Sequence, residues 1–209
     1  QSLFGITGVR TWKELQGMPC IEFEDGFKAK QSICVSRSFS SEIYTVDELQ
    51  EQIANFASSM AEKLRAQRCV AGEVVIFAYT NRFKESAPQT YCNGLISFTT
   101  PTSDQRTIIS RAVGATKLIF KEGYGYKKAG VIASKIIPEG EVMHSLFEDT
   151  AATEREHKIT STLDAINSTY GKGTIKLAVQ GRGKIKTASD NQSPHYTTKW
   201  SDIPKVTIK

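Results

Sequence analysis

Histidine and cysteine are scarce: three and four residues in a chain of 209. Cys20, Cys34, Cys69 and Cys92 lie far apart and form no CxxC pair, and His144, His157 and His195 show no ligand spacing with them. This argues against a structural zinc site, and no metal ligands are assigned. Scattered single cysteines suit a reducing cytosol and are expected in the core. No run of about 18 apolar residues is present, so no membrane span is indicated. The opening residues, QSLFGITGVR, lack both a charged n-region and a continuous apolar stretch, which argues against a signal peptide. A cytoplasmic protein is expected. The chain begins without Met and enters at once on a Gly-rich turn, as expected of a piece of a longer polypeptide. No acidic pair has an arrangement suggesting two-metal catalysis, so no catalytic residue is assigned.

What is present is ordinary in amount and uneven in place. Hydrophobic residues make up 39% and charged residues 23%, with a net charge of +5. From Gly26 to Lys135 there are 15 Lys/Arg against 9 Asp/Glu; from Ile136 to the end the count is 10 against 9. The excess in the central stretch points to an anionic partner there.

Read by period, Gln31 to Lys135 predicts strand, helix, strand, strand, helix, strand. Ile33, Val35 and Arg37 alternate with Cys34, Ser36 and Ser38, as in a first strand. Thr45 and Glu48 form a capping box. Leu49, Ile53, Phe56, Met60 and Leu64 follow at spacings of four, three, four and four, on one helical face. Val74 to Thr80 (VVIFAYT) and Gly94 to Thr100 predict two strands, joined by a polar loop over 81–91 that contains Pro88. A second helix is expected after an N-cap at Thr102 or Ser103, with Ile108, Ala112, Ala115 and Ile119 buried. Gly123 and Gly125 are expected to end it, and Tyr126 to Ser134 supplies the fourth strand.

The expected class is α+β: a βαββαβ open-faced sandwich whose helices share one face of the sheet and leave the other free. Before it, Arg10 to Gln16 predicts a helix tail that stops at Gly17, and Ile21 and Phe23 belong to a short tether. Beyond it lie a linker with an apolar cluster, a helix from Glu154 to Tyr170, and a strand from Thr174 to Val179. These make a small C-terminal α/β tail. Between Asp164 and Asp190 the tail holds five Lys/Arg and no acid.

SICVSRSF, YKKAGV, the SLFED cluster, GKGTIKLAVQG and SPHYTTKW occur in this order, and with them the chain resembles the UmuC-type Y-family translesion DNA polymerases. The resemblance covers essentially the whole chain and implies the C-terminal part of such an enzyme. Residues 1–25 resemble the thumb's end and a tether, 26–135 the little finger that grips DNA, 136–153 a linker, and 154–209 the UmuC-type tail domain. The palm, with its carboxylates and Mg2+, is then expected upstream, so no activity and no cofactor are expected of this chain alone.

Carried over by position, the resemblance makes Arg37 a contact to the template-side backbone and Lys127 and Lys128 the paired basic residues opening the last strand. Arg82 and Lys84, in the hairpin loop, are further candidates for DNA contact. Met143, His144, Ser145, Leu146 and Phe147 stand where the family's sliding-clamp-binding peptide has Gln-Leu-x-Leu-Phe; the Leu-Phe end is kept, the Gln and first Leu are not. The implied partners are primer–template and damaged DNA, a sliding clamp, a UmuD-like subunit and a recombinase filament. The implied setting is DNA repair and the SOS response.

The competing readings are a stand-alone RNA-binding module on a ferredoxin-like sheet and a scaffold that binds only protein. The first would stack bases on strand aromatics in an RNP-type motif. No such motif is present, and the first strand offers Arg37 where an aromatic platform would be expected.

Overall fold

The structure is a computed structural model that describes residues 4–20, 31–84, 86–142, 150–181 and 193–204. It divides into two compact units, Gln1–Lys30 and Gln31–Lys209. In the first, helix α1 (Gly5–Leu15) ends where the Gly17 backbone turns left-handed at φ +78°, a conformation that costs glycine little. The amides of Gln16 and Met18 both return to the Lys13 carbonyl. The tether residues Ile21 and Phe23 lie outside the described residues.

The second unit holds β1 (Ile33–Ile43), α2 (Val46–Ala66), β2 (Cys69–Thr80), β3 (Tyr91–Thr102), α3 (Gln105–Ile119), β4 (Tyr126–Pro138) and α4 (Thr150–Tyr170). The βαββαβ order is as expected. The sheet is antiparallel in the order β1-β4-β2-β3, so the two strands that follow helices lie at its centre. Both helices pack on one face: α2 against β1, β4 and β2, and α3 against β3 and α2.

Leu49, Ile53, Phe56, Met60 and Leu64 are all buried, and the Phe56 ring stacks on Phe39 of β1. Each such side chain stabilises the fold by about 1.5–3 kcal/mol relative to exposure. At the start of α2 the Thr45 hydroxyl accepts from the Glu48 amide at 3.4 Å and donates to the Glu48 carboxylate at 2.8 Å. The N-cap of α3 is Asp104, whose carboxylate accepts from the Thr107 amide at 2.8 Å. Thr102, an expected cap, serves the turn before it by accepting from the Asp104 amide.

Two further expectations need correction. The strand expected over Thr174–Val179 does not form. The Asn167 side chain takes the place of a neighbouring strand, accepting from the Ile175 amide at 2.9 Å and donating to its carbonyl at 3.1 Å. A short 3-10 turn, Ala178–Gln180, follows. The cysteines, expected in the core, divide: Cys92 is buried, Cys20 and Cys69 are half-buried, and Cys34 is exposed.

The tail belongs to the same compact unit as the sheet. Arg65 at the end of α2 grips Asp164 of α4 through Nε and Nη2 at 2.6 and 2.7 Å, while its Nη1 donates to the Ser103 carbonyl at 2.8 Å. The buried Thr160 hydroxyl donates to the second oxygen of the Asp104 carboxylate at 2.9 Å, so one acid caps α3 and holds α4. Nearer the middle of α2, Asn55 donates to the Gln180 carbonyl at 3.0 Å. A cavity of about 890 Å³ lies between α4 and the Thr99–Asp104 end of β3, lined in part by Arg65, Phe98, Arg111 and Asp164.

Candidate nucleic-acid interface

Strand alternation assigns each side chain to a face. Val74, Ile76 and Ala78 of β2 pair with Ala133, Val131 and Ala129 of β4, and all six are buried under the helices. The residues between them form the open face: Glu73, Val75, Phe77 and Tyr79 on β2, Lys128, Gly130, Ile132 and Ser134 on β4, and Tyr91, Asn93, Leu95 and Ser97 on β3. Cys34, Ser36 and Ser38 complete it on β1.

At the start of β4 the alternation breaks. Tyr79 pairs with Lys128 and Thr80 with Tyr126, so β4 carries one extra residue, Lys127. Tyr126 and Ala129 are both fully buried on the helix side. The two lysines between them therefore both fall to the open side, as a β-bulge permits. Lys127 Nζ donates to the Ser40 carbonyl at 2.9 Å, and Lys128 Nζ lies 5.9 Å from the centroid of the Tyr79 ring. The bulge is what makes the basic pair a pair.

Arg82 joins them from the hairpin loop, its Cζ 5.5 Å from the same ring centroid. Gln89 shapes that loop: its amide nitrogen lies 3.0 Å from the carbonyls of Asn81, Lys84 and Ala87, and its oxygen accepts from the Thr80 hydroxyl at 2.7 Å. Lys84 is partnered, 3.4 Å from the Glu42 carboxylate. The Tyr44 hydroxyl, donating at 2.6 Å, is the main reason the Glu42 carboxyl titrates below its usual range; Lys84 and Lys127 add to it. Arg37 stands apart. Its register partner is Ala129, so it is an exposed residue on the helix-side parity of the edge strand and does not share the open face with Lys127 and Lys128.

Positive charge is thus gathered at one end of the open face instead of being spread along its strands. Seven residues further along β4, roughly 23 Å away, Lys135 is paired with Glu73 at 2.7 Å. Between the two ends the face is apolar, with Val75, Phe77, Ile132 and the exposed Leu95.

An aromatic row on this face escaped the sequence reading. Phe77 and Tyr79 lie 6.2 Å apart with their planes 14° from parallel, and Tyr91 lies 6.3 Å beyond Tyr79 across the hairpin. Gly130 makes room for it: a Cβ there would lie 2.7 Å from Phe77 Cζ and 2.8 Å from the Val35 carbonyl. The signal was the period-two placement of Phe77 and Tyr79 within VVIFAYT, with Tyr91 opening the returning strand. The aromatic platform sought on β1 lies on β2 and β3.

Met143, His144, Ser145, Leu146 and Phe147 lie outside the described residues. Among the described residues no group of three or more His, Cys, Asp or Glu side chains is placed to hold a metal ion, and no helix is long and apolar enough to cross a membrane.

A family model described as the impB/mucB/samB family C-terminal domain matches residues 30–146. The chain belongs to this family. A second model, Domain of unknown function (DUF4113), matches residues 157–206. Among similar proteins of the impB/mucB/samB family, Protein UmuC of Salmonella typhimurium is 34% identical over 97% of this chain and 48% of its own length. Protein ImpB of Salmonella typhimurium is 36% identical over 96% of this chain and 47% of its length. A DNA polymerase IV from Desulfatibacillum aliphaticivorans is 26% identical over 84% of this chain and 43% of its length. The chain spans about half the length of the curated relatives it matches. The UmuC-type resemblance read from the motifs is thereby upheld, and the family supports a role related to DNA polymerases.

Proposed function

We propose that the chain is the DNA-binding C-terminal region of an error-prone translesion polymerase acting in DNA repair and the SOS response. Residues 26–135 grip the primer–template backbone without sequence preference, and the chemistry belongs to a palm elsewhere in the whole protein. The observation that carries this reading is the convergence of Lys127, Lys128 and Arg82 at one end of an open sheet face. Phosphate contacts of this kind fix position and carry no sequence information, which suits an enzyme that must cross damaged bases. Arg37 supplies a separate contact from the edge strand, and Lys84, already paired with Glu42, contributes least.

Fluorescence polarisation with a labelled primer–template tests this. Three phosphate contacts give a log–log salt slope of about −2.7, a loss of roughly 40-fold between 50 and 200 mM salt. Replacing Lys127, Lys128 and Arg82 together by Ala lowers affinity alike for all sequences and flattens that slope; Arg37→Ala alone lowers it by about one contact's share. Unchanged affinity in the triple variant would refute the assignment.

Met143 to Phe147 dock on a sliding clamp through Leu146 and Phe147, two apolar side chains for a partner's pocket. Leu146→Ala with Phe147→Ala then abolishes co-elution with the clamp; persistence of co-elution places the contact elsewhere. A UmuD-like subunit, a recombinase filament and a cytoplasmic location complete the proposal.

A further inference from the structure

We propose that the Tyr79–Tyr91 surface stacks an unpaired base of single-stranded DNA. It would do so while Lys127, Lys128 and Arg82 hold the flanking phosphates. The inference rests on the reading of this face as a DNA-binding one and adds a contact that backbone gripping does not require.

Three observations carry it. First, the rings of Phe77, Tyr79 and Tyr91 form a continuous row with neighbouring centroids 6.2 and 6.3 Å apart, and Gly130 gives Phe77 the space to lie across β4. Second, the row is graded in exposure. Phe77 is buried and Tyr79 half-buried, while Tyr91, on the edge strand, is 52% exposed and offers ring surface to a ligand. Third, Arg82 and Lys128 both approach the Tyr79 ring, at 5.5 and 5.9 Å. Among the described residues neither forms an ion pair with a carboxylate. Two like charges beside one ring repel, and an anion between them relieves the repulsion.

An aromatic surface flanked by cations matches the chemistry of a nucleotide, which is flat and apolar at the base and anionic at its phosphates. Every base has a π-face, so stacking tolerates any sequence and adds affinity without selecting a base. A protein partner would find the apolar part of the face equally suitable. The clustered cations beside the rings, neither Arg82 nor Lys128 ion-paired among the described residues, favour the nucleic acid. Duplex DNA cannot use the rings, because its bases are already stacked.

The test compares, for the full 209-residue chain, a fluorescein-labelled oligothymidylate with a strand of equal length in which the central residues are abasic. Both carry the same phosphates. The intact strand is expected to bind about tenfold more tightly, within the range of a single base–aromatic stack. That difference disappears in Tyr91→Leu and survives in Tyr91→Phe, which keeps the ring. Equal binding of the two strands by the unaltered chain would overturn the stacking inference while leaving the backbone grip standing. Failure of both strands to bind would remove the underlying reading. Self-association in sedimentation that Tyr91→Leu dissolves would make the face a protein interface and overturn both.

Discussion

Removing one carboxylate, in Asp164→Ala, tests how the tail helix is held. The pair it breaks is two-pronged, with Arg65 Nε and Nη2 at 2.6 and 2.7 Å from the two oxygens of Asp164. Charge-assisted bonds of this geometry are the stronger kind. Two unit charges about 4 Å apart attract by about 1 kcal/mol in water and about 4 kcal/mol at the effective dielectric near a protein surface. The Arg65 side chain is 15% exposed but Asp164 is 39% exposed, which moves the value towards the lower limit. A coupling of about 1 kcal/mol is expected. The singles differ in kind. Asp164→Ala leaves Arg65 still donating to the Ser103 carbonyl, whereas Arg65→Ala removes that bond as well and strands the carbonyl. Arg65→Ala should therefore cost more, about 2–3 kcal/mol against about 1–2. The assay is a double-mutant cycle by urea unfolding, with hydrogen exchange of the amides of α4 as a local readout. Asp164→Ala should release α4 amides while leaving β2 protected. A coupling within the about 0.3 kcal/mol expected for independent sites would refute the reasoning.

Asp104 has two duties, so Asp104→Ala should cost about 2 kcal/mol in the same assay. Asp104→Asn, which keeps an oxygen for the Thr107 amide, should cost less than half of that. Gly130→Ala drives a methyl group into the Val35 carbonyl and the Phe77 ring. It should destabilise by about 1–3 kcal/mol and raise the accessibility of the aromatic row to collisional quenchers. Burial, with help from the Cys92 contact, pushes the Tyr126 hydroxyl from its ordinary value near 10 up to about 12. A native state that keeps this proton longer than the unfolded chain has the associated stability in full below pH 10 and loses it as pH rises from about 10 to 12. Urea midpoints of Tyr126→Phe should lack that alkaline slope.

How much of this could be read from the chain depends on whether the determinants are local. The α2 stripe from Leu49 to Leu64 and the Thr45–Glu48 cap are set by spacings within a few residues, and both stand in the structure. β2 begins at Cys69, five residues before the expected Val74, because Cys69, Val70 and Ala71 pair with Pro138, Ile137 and Ile136 across the sheet. No local period announces such a pairing. The strand order escaped for a similar reason: a crossover fixes that two strands run parallel, but not which strand lies between them. Thr174–Val179 has strand composition but finds Asn167 where a neighbouring strand would have to be. For the site, the basic residues were legible as charge, while their grouping was not. Arg37 and Lys128 look equivalent along the chain, and only the register separates them onto different faces.

The bulge at Lys127 gives β4 two phases. From Ala129 to Ala133 the odd-numbered side chains enter the core, and before the extra residue the even-numbered Tyr126 does. Deleting Lys127 would do more than remove a charge. It would set the two parts of the strand in one phase, turning either Tyr126 out of the core or the Ala129–Ala133 series onto the open face. Substitution at Lys127 is open to selection, whereas a length change there is closed by the packing beneath it.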